Sequence, residues 1–345
     1  MKTSLGYKGG ISAPQKVAAL AGYDILRDGG TAIEAIVAAA ATIAVTYPHM
    51  NGIGGDAFWL IKKKNQEPVA ISGCGYSAAK ASIPWYKDRG HLSQVPSRGS
   101  LSALTVPGAV ASWHQALSFV KNPMPQRDLL LNAISYARDG FAVTNNQALC
   151  TVSKFQDLKD IPGFSNTFLT DGKPPQAGSI LKQTSLQETF EVLGKDGFDS
   201  YYRGDIAKVH ANYLENTGSP LRLNDFLEFT ADVVLPLKVK TSKATLYNLP
   251  APTQGVSSLM ILALFDKMNI AVGDSFEHIH SLIEITKQVF LKRNIELGDP
   301  KYMSSNEESW LQNEVLNELL SKVDHLKTLP WPYEPNKGDT IWMGA

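Results

Sequence analysis

The stretch from Ala32 to Tyr47 constrains the fold more than any other, because it is rich in alanine and its run from Ala35 to Val45 is small on every face. Thr31 and Glu34 stand at capping-box spacing at its start, which predicts a helix beginning there. A helix that is small all round lets neighbouring backbones approach closely, so it belongs inside a layered core. With Glu34 in it, the stretch is too short and too weakly apolar to span a bilayer. Pro48 ends it.

The next segment decides how the glycines are used. Asn51-Gly52-Ile53-Gly54-Gly55-Asp56 runs straight into Ala57-Phe58-Trp59-Leu60-Ile61, followed by a polar turn at 62–67 and then Val69-Ala70-Ile71-Ser72. This is a glycine loop feeding a β-hairpin. No helix follows the loop, so its amides cannot join a helix N-terminus in holding a pyrophosphate. A nucleotide cofactor is therefore not expected, and no other cofactor is called for.

Around this centre the pattern alternates. Ser12, with Pro14 in the first turn, predicts a helix that stops at Asp28-Gly29-Gly30. Helical spacing recurs from Pro107 to Val120, from Leu129 to Arg138, over 201–216 and over 276–297, whereas Val233 to Val239 and Thr245 to Leu249 read as strands. The mixture predicts an α+β chain with helices layered on a mostly antiparallel sheet. At 345 residues and 43% hydrophobic content it can bury a sizeable core, as one large domain or two.

Charge and cysteine content exclude several function classes. Thirty-three basic and thirty-three acidic side chains cancel, so no nucleic-acid or anionic-membrane partner is expected. Cys74 and Cys150 are too few for a disulfide framework, although the two could still pair. With no apolar signal core in the first eight residues, the expected location is cytoplasmic. His278 and His280 sit two apart in a predicted helix and point in different directions, and the other histidines have no metal spacing, so no metal site is expected. Neither a Gly-x-Ser-x-Gly elbow nor a P-loop occurs.

Near the end of the sequence, 329–338 contains three prolines and reads as an exposed linker open to cleavage. It leads to Gly338-Asp339-Thr340-Ile341-Trp342-Met343, a turn followed by β-branched and aromatic residues that predict a strand. A threonine opening a strand is ordinary in itself.

Several of these segments together carry a resemblance. The run from Gly22 to Val45, Tyr47-Pro48-His49-Met50-Asn51-Gly52-Ile53-Gly54-Gly55-Asp56, and Leu104-Thr105-Val106-Pro107-Gly108-Ala109-Val110 closely resemble the gamma-glutamyltranspeptidase family. So, in the right order, do Tyr202-Arg203-Gly204-Asp205-Ile206-Ala207, Pro250-Ala251-Pro252-Thr253-Gln254-Gly255, Glu284-Ile285-Thr286-Lys287 and Leu297-Gly298-Asp299-Pro300. The resemblance implies a four-layer αββα sandwich of the N-terminal-nucleophile hydrolases, incomplete in this sequence, made as a precursor that cuts itself in two. It implies that residues 1–339 are the large-subunit region and 340–345 the first strand of the small subunit. Thr340 would be the nucleophile, exposed by cleavage after Asp339. The oxyanion-hole residues would lie past Ala345, so these residues alone are expected to be inactive.

Threonine suits this role on physical grounds. Its hydroxyl is a weak nucleophile, and a free α-amino group, with a reference pKa of about 7.7–8.0, can serve as its base at neutral pH. The implied partners are a small-molecule amide substrate and a small subunit from the same precursor.

The sequence also departs from the family. Typical members carry an arginine after the hairpin that pairs with the glutamyl α-carboxylate, but residues 71–79 contain none. Arg98 is the nearest alternative cation, and Tyr76 would reshape the pocket. With the Cys74-Gly75 segment, this resembles the oxamate amidohydrolase branch, whose substrate is a small carboxylated amide. A true gamma-glutamyltransferase or glutathione hydrolase, and an inactive large-subunit fragment, are the alternatives.

Overall fold

The computed structural model describes residues 5–333 and 340–345. In chain order the elements are α1 (Lys16–Arg27), α2 (Ala32–Thr46), β1 (Ala57–Ile61), β2 (Val69–Gly73), α3 (Ile83–Lys87), α4 (Ala109–Leu117), α5 (Gln126–Asp139), β3 (Phe141–Ala142), α6 (Asn145–Leu158), α7 (Phe164–Phe168) and β4 (Ile180–Leu181). They continue with α8 (Thr184–Asp196), α9 (Ser200–Arg203), α10 (Asp205–Asn216), α11 (Leu223–Glu228), β5 (Asp232–Val234), β6 (Leu237–Lys240), β7 (Thr245–Asn248), α12 (Gly255–Met268), α13 (Phe276–Glu296) and α14 (Asn313–Ser321). The α+β class expected from the sequence holds. The strands form one three-stranded sheet in the order β1-β2-β5 and two two-stranded sheets, β3-β4 and β6-β7. Both two-stranded sheets are antiparallel.

The chain divides into two compact units. One comprises 1–57, 73–232 and 338–345, and the other 58–72 and 233–337. In the first unit α2 is packed by α1, α4 and α5, and α5 in turn by α8. The small-residue reading of α2 is borne out, since Ala35, Val37, Ala38, Ala39, Ala41 and Ile43 are all essentially inaccessible. Gly22 on α1 shows why such smallness is needed: a Cβ there would stand 2.7 Å from the Ala35 carbonyl oxygen. The capping box forms as expected. Glu34 Oε2 accepts from the Thr31 N–H at 2.7 Å, and Glu34 N–H donates to Thr31 Oγ1 at 3.3 Å. The buried carboxylate also accepts from the Met124 N–H through Oε1, which satisfies both oxygens.

The second unit is built on α12 and α13. Val256, Leu259, Met260 and Leu264 of α12 meet Ile285 and Val289 of α13, with Trp310 and Leu316 closing the cluster. Trp310 is buried with its indole N–H on Ser305 Oγ at 2.9 Å and the Lys292 ammonium 4.7 Å from its ring centroid.

Four sequence expectations are corrected. Helix α1 is capped by Gln15, whose Oε1 accepts from Val17 and Ala18, because both backbone groups of Ser12 are taken by Gly344. The helix over 201–216 is broken at Gly204, which is extended with φ −104° and ψ −163°. The strand over 233–239 is two strands in different sheets, because Pro236 offers no N–H to a ladder. Finally, the stretch 340–345 forms no strand: only Gly344 pairs, in an isolated bridge with Ser12. A strand needs a ladder along its length, and among the described residues no other backbone meets this one.

Among the described residues no helix is long and apolar enough to cross a membrane. Nor do any three His, Cys, Asp or Glu side chains among them stand where they could hold a metal ion. His280 is buried with Nε2 on the Asp324 carbonyl at 2.8 Å, and His278 packs edge-on against Phe265.

Candidate functional site

The glycine loop and the Cys74-Gly75 segment, distant in sequence from Val106-Pro107-Gly108, meet it in the first unit. The N–H groups of Gly108 and Ala109 both donate to the Gly55 carbonyl, at 2.8 and 3.0 Å. Tyr76 O accepts from Val106 N–H at 3.0 Å, and Ala78 N–H donates to Leu104 O at 2.7 Å, around a bridge between Ser77 and Thr105. The approach is too close for side chains. A Cβ on Gly75 would lie 1.6 Å from the Val106 carbonyl oxygen, so glycine is required there.

Tyr202 braces this strap from beneath. Its hydroxyl donates to the Pro107 carbonyl at 2.7 Å and accepts from the Ala111 N–H at 2.9 Å. Burial, with Tyr201 beside it, pushes the phenol far above its usual range, so it stays neutral and can do both. The ring is almost wholly inaccessible.

On the outer side Asp56, Cys74, Tyr76 and Asp232 form a polar group. Tyr76 is exposed, its ring edge-on to Phe229 with centroids 5.7 Å apart and its hydroxyl donating to Asp232 Oδ2 at 2.5 Å. That hydrogen bond, then burial, then the Asp232 charge hold the phenol up at about 12. The Tyr76 hydroxyl thus stays protonated and donates to Asp232. Burial, and then the negative charge of Asp56, push the Cys74 thiol up, which makes it a poor nucleophile. Both cysteines are free thiols.

The remaining predicted site residues stand apart from this group. Arg98 is exposed beside a 3₁₀ turn at Ser100–Ser102, and among the described residues nothing pairs with its guanidinium. Thr340 is exposed, and no hydrogen bond joins it to Tyr76 or Arg98. Asp339, the other half of the expected cleavage junction, lies outside the described residues. Sequence reasoning missed Tyr202 and Asp232. Tyr202 carried a signal, since it opens one of the motifs quoted above. Asp232 carried none, being 156 residues from its partner Tyr76.

Comparison with known proteins fits this geometry. Residues 18–345 match the family model for Gamma-glutamyltranspeptidase. The chain is 40% identical over 337 residues to the oxamate amidohydrolase proenzyme of Klebsiella pneumoniae, covering 96% of this chain and 63% of that protein. It is 32% identical over 348 residues to the glutathione hydrolase-like YwrD proenzyme of Bacillus subtilis, covering 100% and 65%. The chain therefore spans less than two thirds of the length of these relatives. Among solved structures it resembles a gamma-glutamyltranspeptidase from Pseudomonas nitroreducens complexed with L-DON, with a TM-score of 0.84, 26% identity and coverage of 93% and 96%. A cephalosporin acylase from Bacillus halodurans gives a TM-score of 0.89 at 26% identity, covering 100% and 66%. With the glycine strap formed by the very motifs that suggested it and a model match across nearly its whole length, the chain belongs to the gamma-glutamyltranspeptidase family.

Proposed function

We propose that this chain is the large-subunit region of a self-processing amidohydrolase or acyltransferase, with Thr340 as its nucleophile. The observation that carries the reading is that the family match spans residues 18–345, a range that includes Gly338-Asp339-Thr340, while the relatives at 40% and 32% identity are named proenzymes. In the first reaction Thr340 Oγ attacks the Asp339 carbonyl carbon, the peptide C–N bond breaks, and the acyl group passes to oxygen as the amine takes a proton. Water then hydrolyses the ester, leaving an Asp339 carboxylate and a free Thr340 amine. That amine serves as base when the hydroxyl attacks an amide substrate and releases its amine. Water completes hydrolysis of the acyl-enzyme, and an acceptor amine completes transfer. The small-subunit partner is the segment that begins at Thr340 and continues in the longer precursor.

A small carboxylated amide of the oxamate type is the favoured substrate. The absence of arginine from residues 71–79 supports it, as does the name of the 40% identical relative. With its hydroxyl donating to Asp232, Tyr76 contributes shape to the pocket, and Arg98 is the cation open to a carboxylate. A cytoplasmic location belongs to the same reading, resting on two free thiols. The experiment is intact-mass analysis of the longer precursor followed by an amide screen. Cleavage between Asp339 and Thr340 and turnover of oxamate above γ-glutamyl anilides are the expected results. Uncleaved precursor after long incubation overturns the nucleophile, and transferase-level turnover of the anilide overturns the substrate class in favour of a glutathione hydrolase.

A further inference from the structure

A buried ion pair in the second unit has no part in the chemistry above. Glu284 on α13 is 2% exposed, yet both its carboxylate oxygens are used. Oε1 accepts from Lys287 Nζ at 2.6 Å, and Oε2 accepts from the backbone N–H of Leu329 at 2.9 Å. Lys287 Nζ also donates to the Leu329 carbonyl at 2.7 Å. Two side chains one helical turn apart thus grip both polar backbone groups of a single residue. Burial alone would raise the Glu284 pKa, but Lys287 and the Leu329 amide outweigh it and hold the carboxyl below its usual range.

The grip continues along the same helix. His280, four residues before Glu284, holds the Asp324 carbonyl, while Asp324 Oδ1 accepts from the N–H groups of Leu326 and Lys327 at 2.8 and 2.9 Å. Beyond Leu329, Trp331 tilts against Phe290 of α13 with centroids 6.4 Å apart. A buried ion pair is a poor device for stability, since desolvating two charges offsets most of what their attraction returns, but it fixes position well. Here the position fixed is the start of the proline-rich stretch that leads, ten residues later, to Asp339.

We infer that Glu284 and Lys287 are positioning residues for self-cleavage: their capture of the Leu329 backbone fixes the chain ten residues before the Asp339–Thr340 bond. The inference rests on the self-processing reading above. Tether length alone would contribute little. Losing the Leu329 hydrogen bonds moves the last backbone hydrogen bond to α13 back to Asp324 and lengthens the stretch from there to Thr340 from 11 to 16 residues, a change in length worth less than about twofold in closure probability. A larger effect would report loss of the fixed point at Leu329 itself.

The test uses the longer precursor, in wild-type form and with Glu284→Ala, Glu284→Gln and Lys287→Met, following intact mass against time. Wild type should cleave, and Glu284→Ala and Lys287→Met should slow cleavage by about tenfold or more. Glu284→Gln keeps an acceptor for the Leu329 N–H and should slow it only a few-fold. After long incubation, the cleaved fraction of each variant, normalised to free Thr340 N-termini, should hydrolyse the amide within about twofold of wild type. Slowing of less than twofold in all three variants would overturn the inference. So would an equal loss of activity in the cleaved fractions, because the pair would then merely hold the fold. If wild type itself does not cleave, the self-processing reading falls first, before any variant is compared, and the positioning role falls with it.

Discussion

The strap around Gly75 and the stretch around Thr340 belong to the same compact unit but are built in opposite ways. Gly73 and Gly75 face backbone that leaves no room for a side chain, Tyr76 and Ala78 bond to Val106 and Leu104, and Tyr202 holds the opposing turn. Between Thr340 and Ala345, among the described residues, backbone hydrogen bonds reach only Gly344, which makes two with Ser12, and Trp342 is 73% exposed. The recognition side of the proposed site is preorganised by contacts within this chain. Thr340, the proposed nucleophile, stands exposed at the other end of this comparison.

The sharpest way to break this comparison is Thr340→Ala in the longer precursor. Cleavage should be abolished in an intact-mass time course while the melting temperature barely moves, since the side chain is exposed; Thr340→Ser should still cleave, more slowly. A variant that cleaved at the wild-type rate would remove Thr340 from the mechanism.

The strap should respond in the opposite sense, with stability lost before chemistry. Gly75→Ala forces a Cβ against the Val106 carbonyl, a backbone obstacle that cannot rotate away, and should cost about 3 kcal/mol or more, read as a lowered urea midpoint. Tyr202→Phe removes one hydroxyl that serves two buried backbone groups, and should cost about 1–3 kcal/mol. A Tyr202→Phe protein as stable as wild type would mean that the strap holds itself without the brace.

The smallest effect concerns pH. With its folded-state value at about 12 against an ordinary 10, Tyr76 favours its proton in the native state. Its contribution to stability is therefore complete below pH 10 and disappears as pH rises from 10 to 12. Half exposed as it is, that contribution is screened and small. Asp232→Ala should lower the Tyr76 titration, followed as the 295 nm absorbance difference from a Tyr76→Phe protein, from about 12 toward 10. An unchanged titration would show that burial and not Asp232 sets it.

Where a signal was local, the sequence carried it in full. The capping box at Thr31 and Glu34, the small-residue helix α2, the glycine loop entering β1 and the long helix α13 follow from spacing and side-chain size alone. The loss of arginine from residues 71–79 was equally legible. Expectations that depended on a partner for the backbone fared worse. Ser12 was a plausible cap until Gly344 took its backbone, and 340–345 had strand composition without a ladder to join.

The sequence by itself determined the family, the α+β class and the threonine after Asp339, because these reside in residue order, periodicity and motif. Only the tertiary structure decided that Tyr76 donates a hydrogen bond to Asp232, that Gly75 is pinned against Val106, and that Glu284 and Lys287 close on Leu329. The reason is physical. Hydrogen bonds and close approaches between residues 31 to 156 positions apart depend on how helices pack and where loops return, and no local pattern of side chains encodes those distances.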